Sequence, residues 1–239
     1  VTKQGTDWVL APVRLVVPQG SVELSGRYGA TTSARAALSN FDVAIVEAFM
    51  PGFGLGGRAT GTIDYASPAG ATVPNLRARL DIAKFTRTAA YVVSEPVDIA
   101  FLGTLGEAGG DARALIRRGG GIVGRMQAKL APLAPGASLS ARLFGAPLSG
   151  GIRYNGPAEV LWTMTGIAGQ DLTGPVAVAA DFGGRLDRPT ITGVARAKTL
   201  RYEDTAYGTV ISNLALDGRF TASQLQIVSL TPNRAGRSR

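Results

Sequence analysis

The feature that most constrains this chain is an apolar period of two residues, repeatedly interrupted by Gly, Pro and Asn. It is clearest in GIVGRMQAKL, where Ile122, Gly124, Met126, Ala128 and Leu130 point one way and Val123, Arg125, Gln127 and Lys129 the other. The same alternation sets Leu76, Ala78, Leu80 and Ile82 against Arg77, Arg79 and Asp81, and sets Ala137, Leu139, Ala141 and Leu143 against Ser138, Ser140 and Arg142. A chain written this way forms strands with one apolar and one polar face. Further strands are predicted at Ala59 to Tyr65, Val97 to Phe101, Val176 to Phe182, Ile191 to Lys198, Leu214 to Phe220 and Leu225 to Ser229, and Val1 opens directly into strand-like sequence. Reversals are expected at Ser67 to Gly70, Pro132 to Gly136 and Gly183 to Pro189, where fixed or positive φ is available.

Two short helices are expected to break the pattern. Asn40 or Asp42 can cap a turn or two through Ala44 to Met50 (helix 40–51), closed by Pro51 and Gly52, with Ile45, Val46 and Phe49 free to pack. Pro157 suits the first position of a helix over 157–164, although those residues also alternate. VPNLRARLDIAKFTR and RPTITGVARAKTLRY share a proline, an apolar residue two positions on (Leu76, Ile191), alternation, and a basic and aromatic end. That faint repeat suggests stacked strand units, with residues 1–239 reading as one segment of a longer chain.

Composition removes much chemistry. The 239 residues hold no Cys and no His, so thiolate nucleophiles, disulfides, imidazole bases and the commonest zinc and haem ligands are excluded together. No catalytic residue, cofactor-binding residue or metal ligand is assigned, and the expectation is a protein that is not an enzyme. The 25 Lys and Arg exceed the 17 Asp and Glu. Apart from Arg117 with Arg118 and the tail from Arg234 to Arg239, these cations are spread singly along strands with few aromatics between them. A solvated face is therefore preferred to a nucleic-acid surface. No run of about 18 apolar residues is free of charge, so no transmembrane helix is predicted.

The motifs that could carry chemistry read as turns. GFGLGG spaces Gly52, Gly54 and Gly57 like a dinucleotide fingerprint, but neither a preceding strand nor a following helix is predicted. Gly119 to Gly121 lack a helix too. Glu203 and Asp204 are adjacent, so on a strand they face opposite ways and cannot act as paired acids.

The apolar face carries the remaining information. Ile63, Tyr65, Leu76, Leu80, Ile82, Ile122, Met126, Leu130, Leu139, Leu143, Val176, Val178 and Phe182 are its larger members, interspersed with Gly and Ala. Small residues leave space, as expected where a sheet faces a cavity or an acyl chain. A tightly packed sandwich is the alternative.

Three segments carry a resemblance. LSNFDVAIVEAFMPGFGLGGRATGTIDYASPAGATVPNLRARLDIAKFTR, PLSGGIRYNGPAEVLW and LTGPVAVAADFGGRLDRPTITGVARAKTLRYEDTAYGTVISNLALDGRF, in that order, resemble the C-terminal part of the TamB family. These are translocation and assembly module proteins, within the AsmA-like, bridge-type lipid transfer group. The resemblance implies an all-β, elongated, twisted open half-tube, a β-taco-like groove of amphipathic strands with one or two short helices. It implies a periplasmic protein anchored in the inner membrane by a part outside this segment. Its partners would be phospholipid acyl chains and, in the full-length protein, a TamA-like outer-membrane barrel, with no nucleic acid and no cofactor. The implied role is phospholipid transport between the two membranes, or a scaffold for outer-membrane protein and autotransporter assembly and secretion. The basic tail LTPNRAGRSR departs from the family's further strands. A polysaccharide or ester hydrolase on a β solenoid is opposed by the missing His and the unclustered carboxylates.

Overall fold

The computed structural model describes residues 1–48, 52, 54–89, 92–135, 138–222 and 224–232. Phe49, Met50, Pro51, Gly136, Ala137 and the tail from Arg234 to Arg239, all invoked above, lie outside the described residues.

The strands are β1 (Thr2–Gln4), β2 (Asp7–Val17), β3 (Gly20–Tyr28), β4 (Thr32–Asp42), β5 (Leu55–Ser67), β6 (Asn75–Ala89), β7 (Val92–Val93), β8 (Val97–Gly106), β9 (Gly109–Arg118), β10 (Gly121–Leu130), β11 (Leu148–Pro157), β12 (Gln170–Thr173), β13 (Pro175–Arg185), β14 (Arg188–Asp204), β15 (Thr209–Ala222) and β16 (Gln224–Pro232). Two helices join them, α1 (Leu139–Gly145) and α2 (Ala158–Thr163), with a 3-10 segment at Val43–Ala48. Every pairing among the described residues is antiparallel, and nearly all strands pair with their sequence neighbours, most of them joined by turns too short to allow a crossover. The result is one 16-stranded meander whose end strands β1 and β16 do not pair with each other, an open, twisted half-tube. Fourteen strands lie on the continuous path, which at about 4.8 Å per strand is about 60 Å across. Among the described residues there is no second sheet, so the sandwich alternative does not apply.

The turns behave as their residues require. Gly119 (φ 56°) and Gly120 (φ 81°) make the two-residue reversal between β9 and β10, a left-handed pair that matches strand twist. The expected reversal at Gly183 to Pro189 is tighter than the sequence suggested: Gly184 pairs with Pro189 and Arg185 with Arg188, leaving Leu186 and Asp187 as the turn. Both glycines and the proline belong to strands.

Most of the bulges bend one rim; those between Leu10 and Val13 and between Asp217 and Gly218 lie elsewhere. Register shifts fall between Leu38 and Phe41, Gly56 and Arg58, Ile82 and Phe85, Ile122 and Gly124, and Ala197 and Leu200, all near the same ends of their strands. Asn40 (φ 49°) and Lys84 (φ 51°) take left-handed backbone there, and bulges of this kind increase local twist. The repeat seen in the sequence is structural: β6 and β14 each begin at one rim with Leu76 or Ile191 on the apolar face and bulge near the other at Ala83-Lys84 or Lys198-Thr199.

The helices differ in part from expectation. Asp42 caps the first, its carboxylate accepting from the Ala44 amide at 2.9 Å, but the segment is 3-10 and Asn40 sits in the preceding bulge. Pro157 is the cap before α2, not its first residue. The alternation over 137–143 does not make a strand. Ser138 instead caps α1, its hydroxyl accepting from the Ala141 amide at 3.3 Å, and Leu139 and Leu143, four apart, fall on one helical face.

Candidate functional site

Cross-strand partners place their side chains on the same face, so the register itself maps each surface. One row runs Val22, Leu38, Gly61, Leu80, Phe101, Ala114, Met126, Ile152, Ala180, Gly193, Phe220 without a polar side chain from β3 to β15. A parallel row runs Leu24, Ala36, Ile63, Ala78, Gly103, Ala112, Ala128, Gly150, Phe182, Ile191. A third, toward one rim, is Gly26, Ala34, Tyr65, Leu76, Leu105, Gly110, Leu130, Leu148. The fourth, toward the bulged rim, is Phe41, Ala59, Ile82, Ile99, Ile116, Gly124, Tyr154, Val178, Ala195. The alternate residues are charged or polar over most of their length and carry cross-strand ion pairs such as Arg35 with Asp64 (3.5 Å) and Arg196 with Asp217 (3.7 Å).

The glycines in these rows are only partly open space. A Cβ at Gly103 would lie 2.9 Å from the Phe101 ring, and one at Gly150 would lie 2.6 Å from the Phe182 ring, so two aromatic rings lie over the glycines beside them. Shallow hollows remain on the apolar face. One of about 450 Å³ is bordered by Trp8, Leu24, Tyr28, Ala36, Ile63 and Tyr65. Another of about 310 Å³ is bordered by Leu76, Ala78, Phe101, Ala128, Leu130 and Leu148.

Two covers close parts of the apolar face. At the bulged rim α2 and β12 pack Ala158 and Val160 against Val97, Tyr154, Val176, Leu200 and Leu214, with Val178 alongside. The cover is tied down by polar contacts. The Tyr154 hydroxyl donates to the Pro157 carbonyl (2.7 Å), and the Glu95 amide donates to Thr163 Oγ1 (2.9 Å). Arg118 pairs with Glu95 at 2.9 Å and approaches Glu159 at 4.0 Å. Burial pushes the Tyr154 phenol up to about 12; the Arg118 guanidinium opposes the shift and the Glu159 carboxylate adds to it. At the opposite rim α1 covers Val73, Leu133 and Ala146 with Leu139 and Leu143. Arg142 holds it, donating to the carbonyls of Ala134 (2.6 Å) and Thr72 (3.0 Å).

The thirteen apolar residues singled out in the sequence therefore separate into groups. Ile63, Tyr65, Leu76 and Leu130 line the hollows, and Leu80, Ile82, Met126 and Phe182 lie in the same uncovered rows or beside them. Val176 and Val178 lie beneath α2, and Leu139 and Leu143 belong to the α1 cover rather than to a strand. Ile122 sits before the β10 bulge, paired with Arg117 of the polar face and exposed, while Val123 packs inward in its place. Among the strands the sequence reading missed, with β3 and β4, are β9 and β11, whose inward positions are the small residues Ala112, Ala114 and Gly150 together with Ile116, Ile152 and Tyr154.

The motifs set aside as turns stay so. The Glu47 carboxylate accepts from the amides of Gly52 (2.5 Å) and Gly54 (2.9 Å), so an internal carboxylate occupies the glycine loop where a phosphate would sit. Asp204 accepts the amides of Ala206 and Tyr207 while Glu203 pairs with Arg201. Among the described residues no three acidic groups converge to hold a metal, and no helix is long and apolar enough to cross a membrane. No family model, curated protein or solved structure matches the chain.

Proposed function

We propose that this chain is a segment of a non-enzymatic conduit whose apolar face shelters phospholipid acyl chains on their way between two membranes. The observation that carries the reading is the set of aligned apolar rows, continuous from β3 to β14 and left uncovered between α1 and α2. Keeping an acyl chain out of water is worth about 0.8 kcal/mol per methylene. A continuous dry surface thus lowers the barrier to transfer without a selective pocket, and the shallow hollows on this face suit a sliding cargo. The resemblance to the TamB family supports the same reading. That resemblance implies a groove in the periplasm, within a protein anchored in the inner membrane.

A second reading is a scaffold for outer-membrane protein assembly with a barrel partner. It is favoured by β16, an edge strand carrying exposed Ile227, Val228 and Leu230, which could pair with an incoming strand. Mass spectrometry of organic extracts from the purified segment tests the first reading: phospholipid at stoichiometric levels supports it. Lipid-free protein that binds unfolded barrel peptides along β16 would favour the scaffold instead.

A further inference from the structure

A hollow of about 910 Å³ lies along the central strands, bordered mainly by residues of the polar face, with Leu80, Phe101, Ala114, Met126, Ala128 and Gly150 of the apolar rows also at its border. Its border holds six cations, Arg79, Arg113, Arg117, Arg125, Lys129 and Arg153, against two carboxylates, Asp81 and Asp181. The sequence spreads these cations over four strands; the register gathers them. Along one row Arg125 is flanked by Leu115 and Arg153, and along the next Arg113 is flanked by Leu102 and Gln127.

Arg125 and Arg153 are direct cross-strand partners, an arrangement in which like charges repel. Asp181 offsets Arg153 at 2.7 Å. Arg79, Arg117, Arg125 and Lys129 form no ion pair among the described residues. A surface that only needed solubility would gain from interspersed carboxylates, as it has at Arg35 with Asp64. Between the cations lie Leu115 and Leu102, the latter 51% exposed although it sits on the polar face.

We infer that this hollow is a second binding site, for an anionic phosphate-bearing amphiphile: the phosphate lies between Arg125 and its neighbouring cations, and an apolar portion lies on Leu102 and Leu115. Guanidinium groups engage a phosphate through paired N–H donors, and an anion bridging Arg125 and Arg153 removes their repulsion. The proposal does not rest on the conduit reading, because the cations and Leu102 and Leu115 lie in the register positions opposite the apolar rows.

Calorimetric titration tests it, with dihexanoylphosphatidylglycerol, dihexanoylphosphatidylcholine and inorganic phosphate as probes. The expected result is at least tenfold tighter binding of the anionic lipid than of the zwitterionic lipid or of free phosphate, weakening as salt is raised. Arg125→Gln and Lys129→Gln should each reduce that preference several-fold. Ile63→Glu, on the apolar face, should leave it intact even if it abolishes lipid transfer. Equal binding of the two lipids, free phosphate binding as tightly as the anionic lipid, or a preference that survives both glutamine variants would overturn the inference.

Discussion

The Tyr154 hydroxyl donates to the carbonyl of Pro157 at 2.7 Å, closing the point where β11 ends and α2 begins. Tyr154 also stands in the apolar row beside Gly124 and Val178, so one side chain links the open face to its cover.

That link titrates. Burial raises the Tyr154 phenol from 10.0 to about 12, so the unfolded chain loses this proton first as pH rises. The corresponding stability is complete below pH 10 and is lost progressively as pH climbs through 12. Burial and the Asp204 carboxylate also raise Tyr202. Absorbance titration of the tyrosines should show a late step, diminished in Tyr154→Phe. The melting temperature of wild type should fall more steeply across this window than that of the variant.

Two glycines set the approach of neighbouring strands. Gly61 (φ 147°) and Gly193 (φ 156°) leave no room for a Cβ, which would lie 2.0 Å from the Arg79 carbonyl oxygen or 2.2 Å from that of Ala179. Each occupies the same apolar row, on β5 and β14. Gly61→Ala and Gly193→Ala should each cost about 2 to 4 kcal/mol in denaturant unfolding, since the clashing atoms are backbone. Gly5→Ala, with nothing within 4 Å of the added carbon, should cost about 1 kcal/mol from its left-handed φ alone.

The α1 cover rests on Arg142, which reaches from α1 to both the 133–134 segment and Thr72. Arg142→Ala leaves those carbonyls without their donor and should cost about 1 to 3 kcal/mol. Hydrogen exchange should quicken at the amides of 139–146 while β8 and β9 remain protected. Uniform quickening across the sheet would show instead that α1 is integral to the whole fold.

The alternation at Leu76 to Ile82 and at Gly124 to Leu130 was sufficient to assign strands and faces, because period two is the geometry of the strand itself. It misled where alternation was accidental: Leu139 and Leu143 alternate with serines, yet Ser138 caps a helix and the four-residue spacing packs. Bulges were illegible for a different reason. One extra residue at Val123 turns Ile122 to the polar face opposite Arg117, and nothing in GIVGRMQAKL marks it. The small inward residues of β9 looked featureless because their role is to accept the larger side chains of β8 and β10. The basic hollow could not be read at all, since Arg125 and Arg153 become cross-strand partners, and Arg79 borders the same hollow, only when the strands are in register.

The central claim is that the apolar rows, and not the polar face opposite them, carry acyl chains from one membrane to the other, and adjacent residues on β5 test it directly. Ile63 lies in a row between Ala36 and Ala78, whereas Thr62 lies between Ala37 and Arg79 on the other face. A charge at Ile63 stands where an acyl chain must pass and costs about 2 to 4 kcal/mol there, by analogy with the lipid face of a barrel. The measurement is the rate of fluorescent phospholipid transfer between membranes by the intact protein carrying Ile63→Glu or Thr62→Glu, each verified as folded by circular dichroism. The account predicts at least a tenfold loss for Ile63→Glu and a rate within twofold of wild type for Thr62→Glu. Full transfer by a folded Ile63→Glu protein, with loss confined to Thr62→Glu, would contradict it.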